Sequence, residues 1–278
     1  MAYLEPKKVA LLIAVLAGFL TPFDLSAVNI ALPAISNEFS MDAVSLGWVA
    51  TANLLSRHGV KVALVSRSLE TLNNISKDLP DSLAVPADMT KIPQIKKMIK
   101  TTKDHYGRID ILINNAGQGY DAPVEKINIG TLRYIYDLNI VGPLCAMQQV
   151  IPIMKNQGGG TVINISSGTA LMHLPEMSVY SSSKRALAGI SMAARKELQD
   201  EAIIVSVVYP YITLTNFEKN TIRESLGDTS GPQDTPTTAT GGFPPDSADY
   251  VAQKILEGIT MGEAEIFAHE WMKNRPVS

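Results

Sequence analysis

The sequence predicts an α/β fold with a doubly wound parallel sheet, because short apolar runs alternate with amphipathic helical stretches from about residue 50 onward. The runs VKVALV, IDILI, TVINIS and IIVSVV are rich in Val and Ile, which is typical of strands buried on both faces. Stretches such as IPQIKKMIKTTKDHYG place apolar residues on one helical face and charges on the other. A strand–helix–strand order requires parallel crossovers, so helices are expected on both faces of the sheet.

The composition narrows the function classes. The chain has 278 residues, of which 46% are apolar and 18% are charged, so it is long enough to bury a sizeable core. A net charge of −3 offers no positive field for a nucleic-acid partner. The single Cys145 excludes a disulfide framework, and the four His residues lack metal-ligand spacing. The sequence therefore predicts neither a nucleic-acid partner nor a metal site.

The N-terminal segment differs from the rest of the chain. Residues 9–30 are mostly apolar and follow Lys7 and Lys8, as expected for a membrane-spanning helix of about 20 residues with a cytoplasmic flank. Pro22 and Asp24 interrupt the run. A secretory signal peptide and a buried core helix are the alternatives. The segment predicts membrane association through residues 9–30.

A tyrosine and a lysine carry the first chemical signal. Tyr180 and Lys184 stand four residues apart at the start of a predicted helix, so their side chains share one face. A nearby ammonium lowers the pKa of a phenol and lets it exchange a proton with a carbonyl or alcohol oxygen. The spacing alone is weak evidence, because Tyr3 and Lys7 repeat it. Ser167 ends the predicted strand VINIS, where parallel sheets bind ligands, although a turn hydroxyl is the alternative.

Two amide-containing segments add to this signal. The predicted strand IDILI runs into Asn114, Asn115, Ala116 and Gly117. Such small residues let the backbone approach a flat or phosphorylated ligand, but an ordinary strand-to-loop turn has the same composition. Asn139 falls within a predicted helix, where an amide is unfavourable unless it has a buried partner. A solvent-facing amide is the alternative for Asn139.

Several motifs resemble the classical short-chain dehydrogenase/reductase family. In chain order they are VALVSR, ADMT, NNAG, the helical Asn139, ISS, YxxxK and YPYITLT. Each motif is weak by itself, and their shared order and spacing make the match specific. The resemblance runs from about Ala50 to the C-terminus. It implies a Rossmann-like sheet and an NAD(P)-dependent oxidoreductase that interconverts a carbonyl and an alcohol by hydride transfer.

The resemblance implies a role for each matched residue. Tyr180 is the acid/base that protonates the carbonyl oxygen, and Ser167 hydrogen-bonds that oxygen. Lys184 holds the nicotinamide ribose and lowers the pKa of Tyr180, and Asn139 supports a water-linked proton path. The implied catalytic set is Asn139, Ser167, Tyr180 and Lys184. The implied cofactor-binding set is Arg67, Asp88, Asn115, Ala116, Gly117, Tyr180, Lys184, Pro210 and Thr215.

The resemblance also bears on which dinucleotide is used. The family often carries an Asp after its second strand when it uses NAD, whereas this chain has Ser66–Arg67. A guanidinium suits the 2′-phosphate of NADP, so NADP is predicted over NAD, with a solvated surface Arg as the alternative. Asp88 matches the residue that contacts the adenine ring. The family's usual Pro-Gly is Pro210–Tyr211 here, and Thr215 keeps the hydroxyl expected near the nicotinamide amide.

The family's first strand and its glycine loop TGxxxGxG have no match directly before ATANLLSRHG. Counted back from that stretch, the glycine positions fall on Asp42, Leu46 and Trp48, which are predicted to keep the backbone away from a pyrophosphate. The run VALLIAVLAG resembles a first strand but lies about thirty residues too early. The sequence therefore predicts a sheet that lacks its first βα unit.

The N-terminal block instead resembles the first transmembrane helix of a major facilitator superfamily drug:proton antiporter. The matching residues are FLTPFDLSAVNIALPAI (Phe19–Ile35), followed by WVATANLL. The resulting division is a transporter-like hydrophobic segment over 1–50 and a dehydrogenase-like domain over 51–278. A gene fusion, a recombination scar and a sequence assembly error each explain such a junction. One helix cannot form a translocation path, so transport is not expected.

Three functional hypotheses follow. The first is an NADP-dependent oxidoreductase for a small carbonyl or alcohol substrate, forming a homo-oligomer, with a cytoplasmic catalytic part and a membrane anchor. The second is a non-catalytic chimeric remnant that cannot bind the dinucleotide because transporter-like sequence replaces the glycine loop. The third, a membrane protein that only binds partners, is supported by the apolar N-terminus alone. Binding of NADPH discriminates the first hypothesis from the others.

Overall fold

The computed structural model describes residues 9–13, 43–213, 221–224 and 244–274. Its strands are β1 (Val9–Ile13), β2 (Lys61–Ser66), β3 (Leu83–Pro86), β4 (Ile111–Asn114), β5 (Tyr120–Asp121), β6 (Gly160–Ile165), β7 (Ile203–Tyr209), β8 (Ile222–Arg223) and β9 (Glu265–Phe267). Its helices are α1 (Ala43–Arg57), α2 (Leu69–Ser76), α3 (Ile92–Tyr106), α4 (Ile129–Tyr136), α5 (Gly142–Asn156), α6 (Ser178–Glu197) and α7 (Ala248–Met261).

Seven of the described strands form one parallel sheet in the order β3–β2–β1–β4–β6–β7–β9. The strand order reverses direction between β1 and β4, which is the kind of switch point where doubly wound sheets bind ligands. β5 and β8 pair separately as a short parallel ribbon. The predicted α/β fold with a doubly wound parallel sheet is confirmed.

Two apolar layers cover the sheet. Successive residues of β2 alternate between them: Val62 and Leu64 join the layer of α1, α2 and α7, while Ala63 and Val65 join the layer of α3, α5 and α6. All four side chains are fully buried. Helices on both faces explain why the strands lack a polar face in the sequence.

The first strand is present, contrary to the prediction. β1 lies in the middle of the sheet, where Val9–Ile13 pair with β2 and Ala10–Ile13 pair with β4. The prediction relied on chain spacing, but the free-energy cost of closing a longer connection grows slowly, by about 0.6 kcal/mol per doubling of its length. An apolar strand can therefore complete the sheet across a long connection. Residues 14–42, which make that connection, lie outside the described residues.

The predicted membrane-spanning helix over residues 9–30 is wrong at its start, because Val9–Ile13 form a β-strand. The remainder of that segment, and the transporter-like Phe19–Ile35, lie outside the described residues. Among the helices that the structure describes, none has the length and apolar character needed to cross a membrane. α1 continues without a break through residue 50, where the transporter-like segment was predicted to end.

Candidate active site

Apart from Asn139, the predicted site residues that the structure describes follow strand ends or lie at the start of the helix after β6. Arg67 follows β2, Asp88 follows β3, Asn115–Gly117 follow β4, Ser167 follows β6, and Pro210 follows β7. Because these strands are parallel, their carboxyl ends lie along one edge of the sheet, on either side of the switch point. The fold thus places residues that are far apart in sequence along a single crevice edge. Thr215 lies outside the described residues.

Ser167, Tyr180 and Lys184 converge at this edge. Tyr180 and Lys184 lie one turn apart on α6 and are only 6% and 3% exposed. The Lys184 Nζ donates a hydrogen bond of 2.9 Å to the Ile165 carbonyl oxygen and lies 6.0 Å from the centroid of the Tyr180 ring. The Tyr180 and Ser167 hydroxyls are hydrogen-bonded to each other. A phenol, an alcohol and an amine are therefore held together, and a phenol in such a cluster can exchange a proton with a bound molecule.

Burial sets the proton affinities of these groups. It raises the pKa of Tyr180 to about 12, an effect that the hydrogen bond from Ser167 opposes and the nearby Asp121 carboxylate reinforces. Burial also lowers the pKa of Lys184 to about 8. The pKa of Tyr180 thus moves in the opposite direction to the lowering predicted from Lys184, because desolvation is the largest contribution. At neutral pH the Tyr180 phenol keeps its proton and can act as an acid.

Asn139 lies in a π-helical turn, Asp137–Val141, that joins α4 to α5. Its side chain is fully buried. The Oδ1 atom accepts a hydrogen bond from the Gln118 backbone N at 3.0 Å, while Nδ2 donates to the Gln118 carbonyl oxygen at 3.1 Å and to the Ser183 Oγ at 3.0 Å. The alternative of a solvent-facing amide is therefore wrong. Asn139 ties the segment after β4 to the helix that carries Tyr180.

Gly117 allows the backbone after β4 to lie close to the Lys184 and Asn139 side chains. A Cβ atom at this position would lie 2.9 Å from the Lys184 Nζ and 3.3 Å from the Asn139 Oδ1. The adjacent Ala116 is buried and Asn115 is half-buried. A side chain on residue 117 would thus press against the Lys184 Nζ, so the glycine lets this backbone segment lie close to Lys184 and Asn139.

The opposite half of the edge carries a cation and a carboxylate. Arg67 is exposed directly after β2, and within the described residues it has no ion-pair partner. The Asp88 Oδ1 accepts hydrogen bonds from the Thr90 N and Oγ1, each at 2.9 Å, which orient the carboxylate after β3. Doubly wound sheets bind the ribose and the adenine of a dinucleotide beyond the corresponding strand ends. The described residues therefore fit such a cofactor on both sides of the switch point.

Sequence reasoning missed three hydroxyl residues that support the site. The Ser166 Oγ donates to the Lys184 carbonyl oxygen at 3.0 Å, and Ser183 accepts from Asn139. The Thr169 Oγ1 donates to the Ser167 Oγ at 3.0 Å. Their only sequence signal is the clustering of hydroxyl residues in ISSGT and YSSSK. Which of those hydroxyls meet depends on how α6 packs against the end of β6.

The family model for short chain dehydrogenase matches residues 46–225 of this chain. The chain belongs to the short-chain dehydrogenase family. An uncharacterized oxidoreductase of Staphylococcus epidermidis is 29% identical over 220 residues, which cover 79% of this chain and 84% of that protein. The uncharacterized oxidoreductase YxjF of Bacillus subtilis is 33% identical over 156 residues, or 56% of this chain and 59% of that protein. The predicted enzyme class, an oxidoreductase of the short-chain dehydrogenase type, is confirmed.

Solved short-chain dehydrogenase structures show the same fold. A putative short-chain dehydrogenase/reductase from Burkholderia xenovorans aligns with a TM-score of 0.76 at 18% identity, covering 99% of this chain and all of that one. The 3-ketoacyl-(acyl-carrier-protein) reductase from Brucella melitensis, complexed with NADH, aligns with a TM-score of 0.70 at 18% identity, covering 94% and 96%. Members of the family use NAD or NADP as cofactors.

Two of the chain's departures from the short-chain dehydrogenase pattern are packed into apolar surroundings. Trp48, at the third glycine position, is fully buried between α1 and the sheet, in the cluster that contains Val62 and Ile111. The indole therefore fills the core. Tyr211, at the position of the usual glycine, packs edge-on against His269 at 5.6 Å and Trp271 at 5.4 Å. Asp42 and the Leu46 side chain lie outside the described residues.

Replacement of Lys184 by Met is expected to change how the stability of this dehydrogenase depends on pH. The pKa of Lys184 falls from 10.5 in the unfolded chain to about 8 in the folded one, so between these values the unfolded chain binds more protons. The free energy of unfolding of the wild type should therefore increase as the pH rises from about 8 toward 10, and Lys184 is the source of this increase. Lys184→Met removes this gain. Urea unfolding of both proteins at pH 7 and 9.5 measures it, and an identical pH dependence would contradict the assignment.

Proposed function

We propose that this chain is an NADP-dependent oxidoreductase that interconverts a ketone and a secondary alcohol, with Tyr180 as the acid/base. The observation that carries the proposal is the cluster of Ser167 with the buried Tyr180 and Lys184 at the carboxyl edge of the sheet. In the reducing direction, a carbonyl needs a hydride at carbon and a proton at oxygen. A phenol that keeps its proton at neutral pH supplies the second requirement.

Each residue then has a defined task. NADPH, when bound, supplies the hydride. Tyr180 donates its proton to the carbonyl oxygen, and Ser167 donates a hydrogen bond to the same oxygen, where negative charge develops. Lys184 stands beside the glycine-containing segment after β4, where its amine can bind a ribose hydroxyl.

The preference for NADP over NAD rests on Arg67. Its exposed guanidinium follows β2, where the ribose of a dinucleotide binds in doubly wound sheets. A 2′-phosphate accepts paired hydrogen bonds from this planar cation, and NAD lacks that group. Residues 66 and 67 are Ser and Arg, so neither carries a carboxylate that could bind the free 2′-hydroxyl of NAD. The positive charge of Arg67 at this position therefore favours NADP.

The alternative of a non-catalytic remnant loses one of its supports. It assumed that the central strand was absent and left neighbouring strands unpaired, but β1 pairs with both β2 and β4. Its other support is the replacement of the glycine positions by Asp42, Leu46 and Trp48: the Trp48 side chain is buried in the core, while Asp42 and the Leu46 side chain lie outside the described residues. Homo-oligomeric assembly and a cytoplasmic location stay predictions.

We would test the proposal by titrating the purified wild type and one variant with NADPH and with NADH, using nicotinamide fluorescence to measure binding. Saturable binding with preference for NADPH is expected, followed by oxidation of NADPH on addition of ketones. Arg67→Ala should weaken NADPH binding by about 10- to 100-fold, the worth of a charged hydrogen bond, and leave NADH binding nearly unchanged. Arg57→Ala is the matched control, because Arg57 ends α1 at the opposite edge of the sheet. A folded sample that binds neither dinucleotide would support the remnant.

A further inference from the structure

The Ser167 hydroxyl accepts two hydrogen bonds from a single residue. The Thr169 backbone N donates to the Ser167 Oγ at 3.2 Å, and the Thr169 Oγ1 donates to it at 3.0 Å. A serine hydroxyl has two acceptor lone pairs and one proton. Because Thr169 occupies both lone pairs, the Ser167 hydroxyl can only donate its proton to a third partner.

The Tyr180 hydroxyl is that third partner in this structure. Because Thr169 occupies both lone pairs of the Ser167 hydroxyl, Ser167 is the donor in its hydrogen bond with Tyr180, and that bond lowers the pKa of Tyr180. A hydrogen-bond chain therefore runs in one direction, from Thr169 through Ser167 to Tyr180. Its direction suits carbonyl reduction, since the oxygen that gains negative charge needs donors.

The backbone around Thr169 is held from several sides. Ser167 caps the short 3₁₀ turn Gly168–Leu171, and the Gly168 N donates to the Pro210 carbonyl oxygen at 2.7 Å. Arg185, which follows Lys184 on α6, donates to the carbonyl oxygens of Ala170 at 2.8 Å and Met172 at 3.3 Å. These contacts hold the Gly168–Leu171 turn in place, so the Thr169 hydroxyl keeps a fixed position next to Ser167.

We propose that Thr169 is a positioning residue that keeps the Ser167 hydroxyl in the donor orientation, toward Tyr180 and the substrate carbonyl oxygen. The inference rests on the proposed function of Ser167 and Tyr180. Without the Thr169 hydroxyl, Ser167 has a free lone pair and can accept the proton of Tyr180. That reversal would turn the acidic proton away from the substrate and remove a donor from its oxygen.

Kinetics of three variants test this role. Thr169→Val keeps the shape of the side chain but removes the donor, and it should lower kcat for ketone reduction about 5- to 10-fold with KM changed less than about twofold. The rising limb of the pH profile for alcohol oxidation, in which Tyr180 must be deprotonated to act as the base, should move to higher pH because Tyr180 loses a donor. Thr169→Ser keeps the hydroxyl and should restore both. Thr161→Val makes the same change at the far end of β6 and should behave as wild type.

A second measurement does not depend on turnover. With ¹³C-labelled tyrosine, the Cζ resonance of Tyr180 is identified by its loss in Tyr180→Phe and reports on hydrogen bonds to the phenol oxygen at pH 7. We expect a shift of this resonance in Thr169→Val but not in Thr169→Ser or Thr161→Val. A wild type without activity would overturn the proposed function, and the resonance would still decide the role of Thr169. An unmoved resonance in Thr169→Val, or an equal shift in Thr169→Ser, would overturn the inference.

Discussion

Replacement of Tyr180 by Phe is expected to lower the rate of ketone reduction by about 10²- to 10⁴-fold, the usual contribution of a positioned acid. The substitution removes one oxygen atom and leaves the buried ring in place. Binding of NADPH should stay within about threefold of wild type, because the loss is limited to one hydrogen bond. Steady-state kinetics together with the fluorescence titration separate these two effects.

Tyr106→Phe is a matched control for this experiment. Burial raises the pKa of Tyr106 to about 12 as well, with a further contribution from Asp81. Its hydroxyl donates to the Asp81 carbonyl oxygen at 2.6 Å, at the end of α3 and away from the carboxyl edge of the sheet. We therefore expect Tyr106→Phe to keep its activity. Substantial turnover by Tyr180→Phe would refute Tyr180 as the acid, whatever the control shows.

Replacement of Trp48 by Gly, which restores the residue typical of the family, is expected to lower the free energy of unfolding by about 4 to 6 kcal/mol. The indole is fully buried between α1 and the sheet, so its removal leaves a cavity among Ala52, Leu55 and Val62. Glycine also adds the conformational cost of a flexible residue in a helix. Urea unfolding measures the loss.

Ser56→Gly provides the control for the helix term. Ser56 lies on the same helix and is only half-buried, so its replacement by glycine should cost about 1 kcal/mol without a core cavity. A loss for Trp48→Gly no larger than that for Ser56→Gly would show that the indole is not part of the core. Improved NADPH binding by Trp48→Gly would instead show that the indole hinders the cofactor.

Local pattern in the sequence was sufficient for most of the architecture. β2, β4, β6, β7 and α3 follow from apolar runs and amphipathic periodicity, because each of these elements is determined by neighbours along the chain, whereas the short strands β5, β8 and β9 were not predicted. Ser167, Tyr180 and Lys184 could also be selected from the sequence, since strand ends and helix starts in a parallel sheet share one edge. Arg67 and Asp88 belong to the same group. Their assignment to a cofactor stays a prediction.

Only the tertiary structure decided where β1 belongs, what Trp48 does and which way the pKa of Tyr180 moves. β1 joins the sheet through main-chain pairing with strands about 50 and 100 residues away, a contact that chain spacing does not reveal. The sequence predicted that Trp48 would block the approach of a phosphate, whereas in the structure its side chain lies on the core face of α1. For Tyr180, burial raises the pKa, whereas the sequence predicted that the neighbouring lysine would lower it. In each case the deciding energy, whether from pairing, packing or desolvation, arises between residues that only folding brings together.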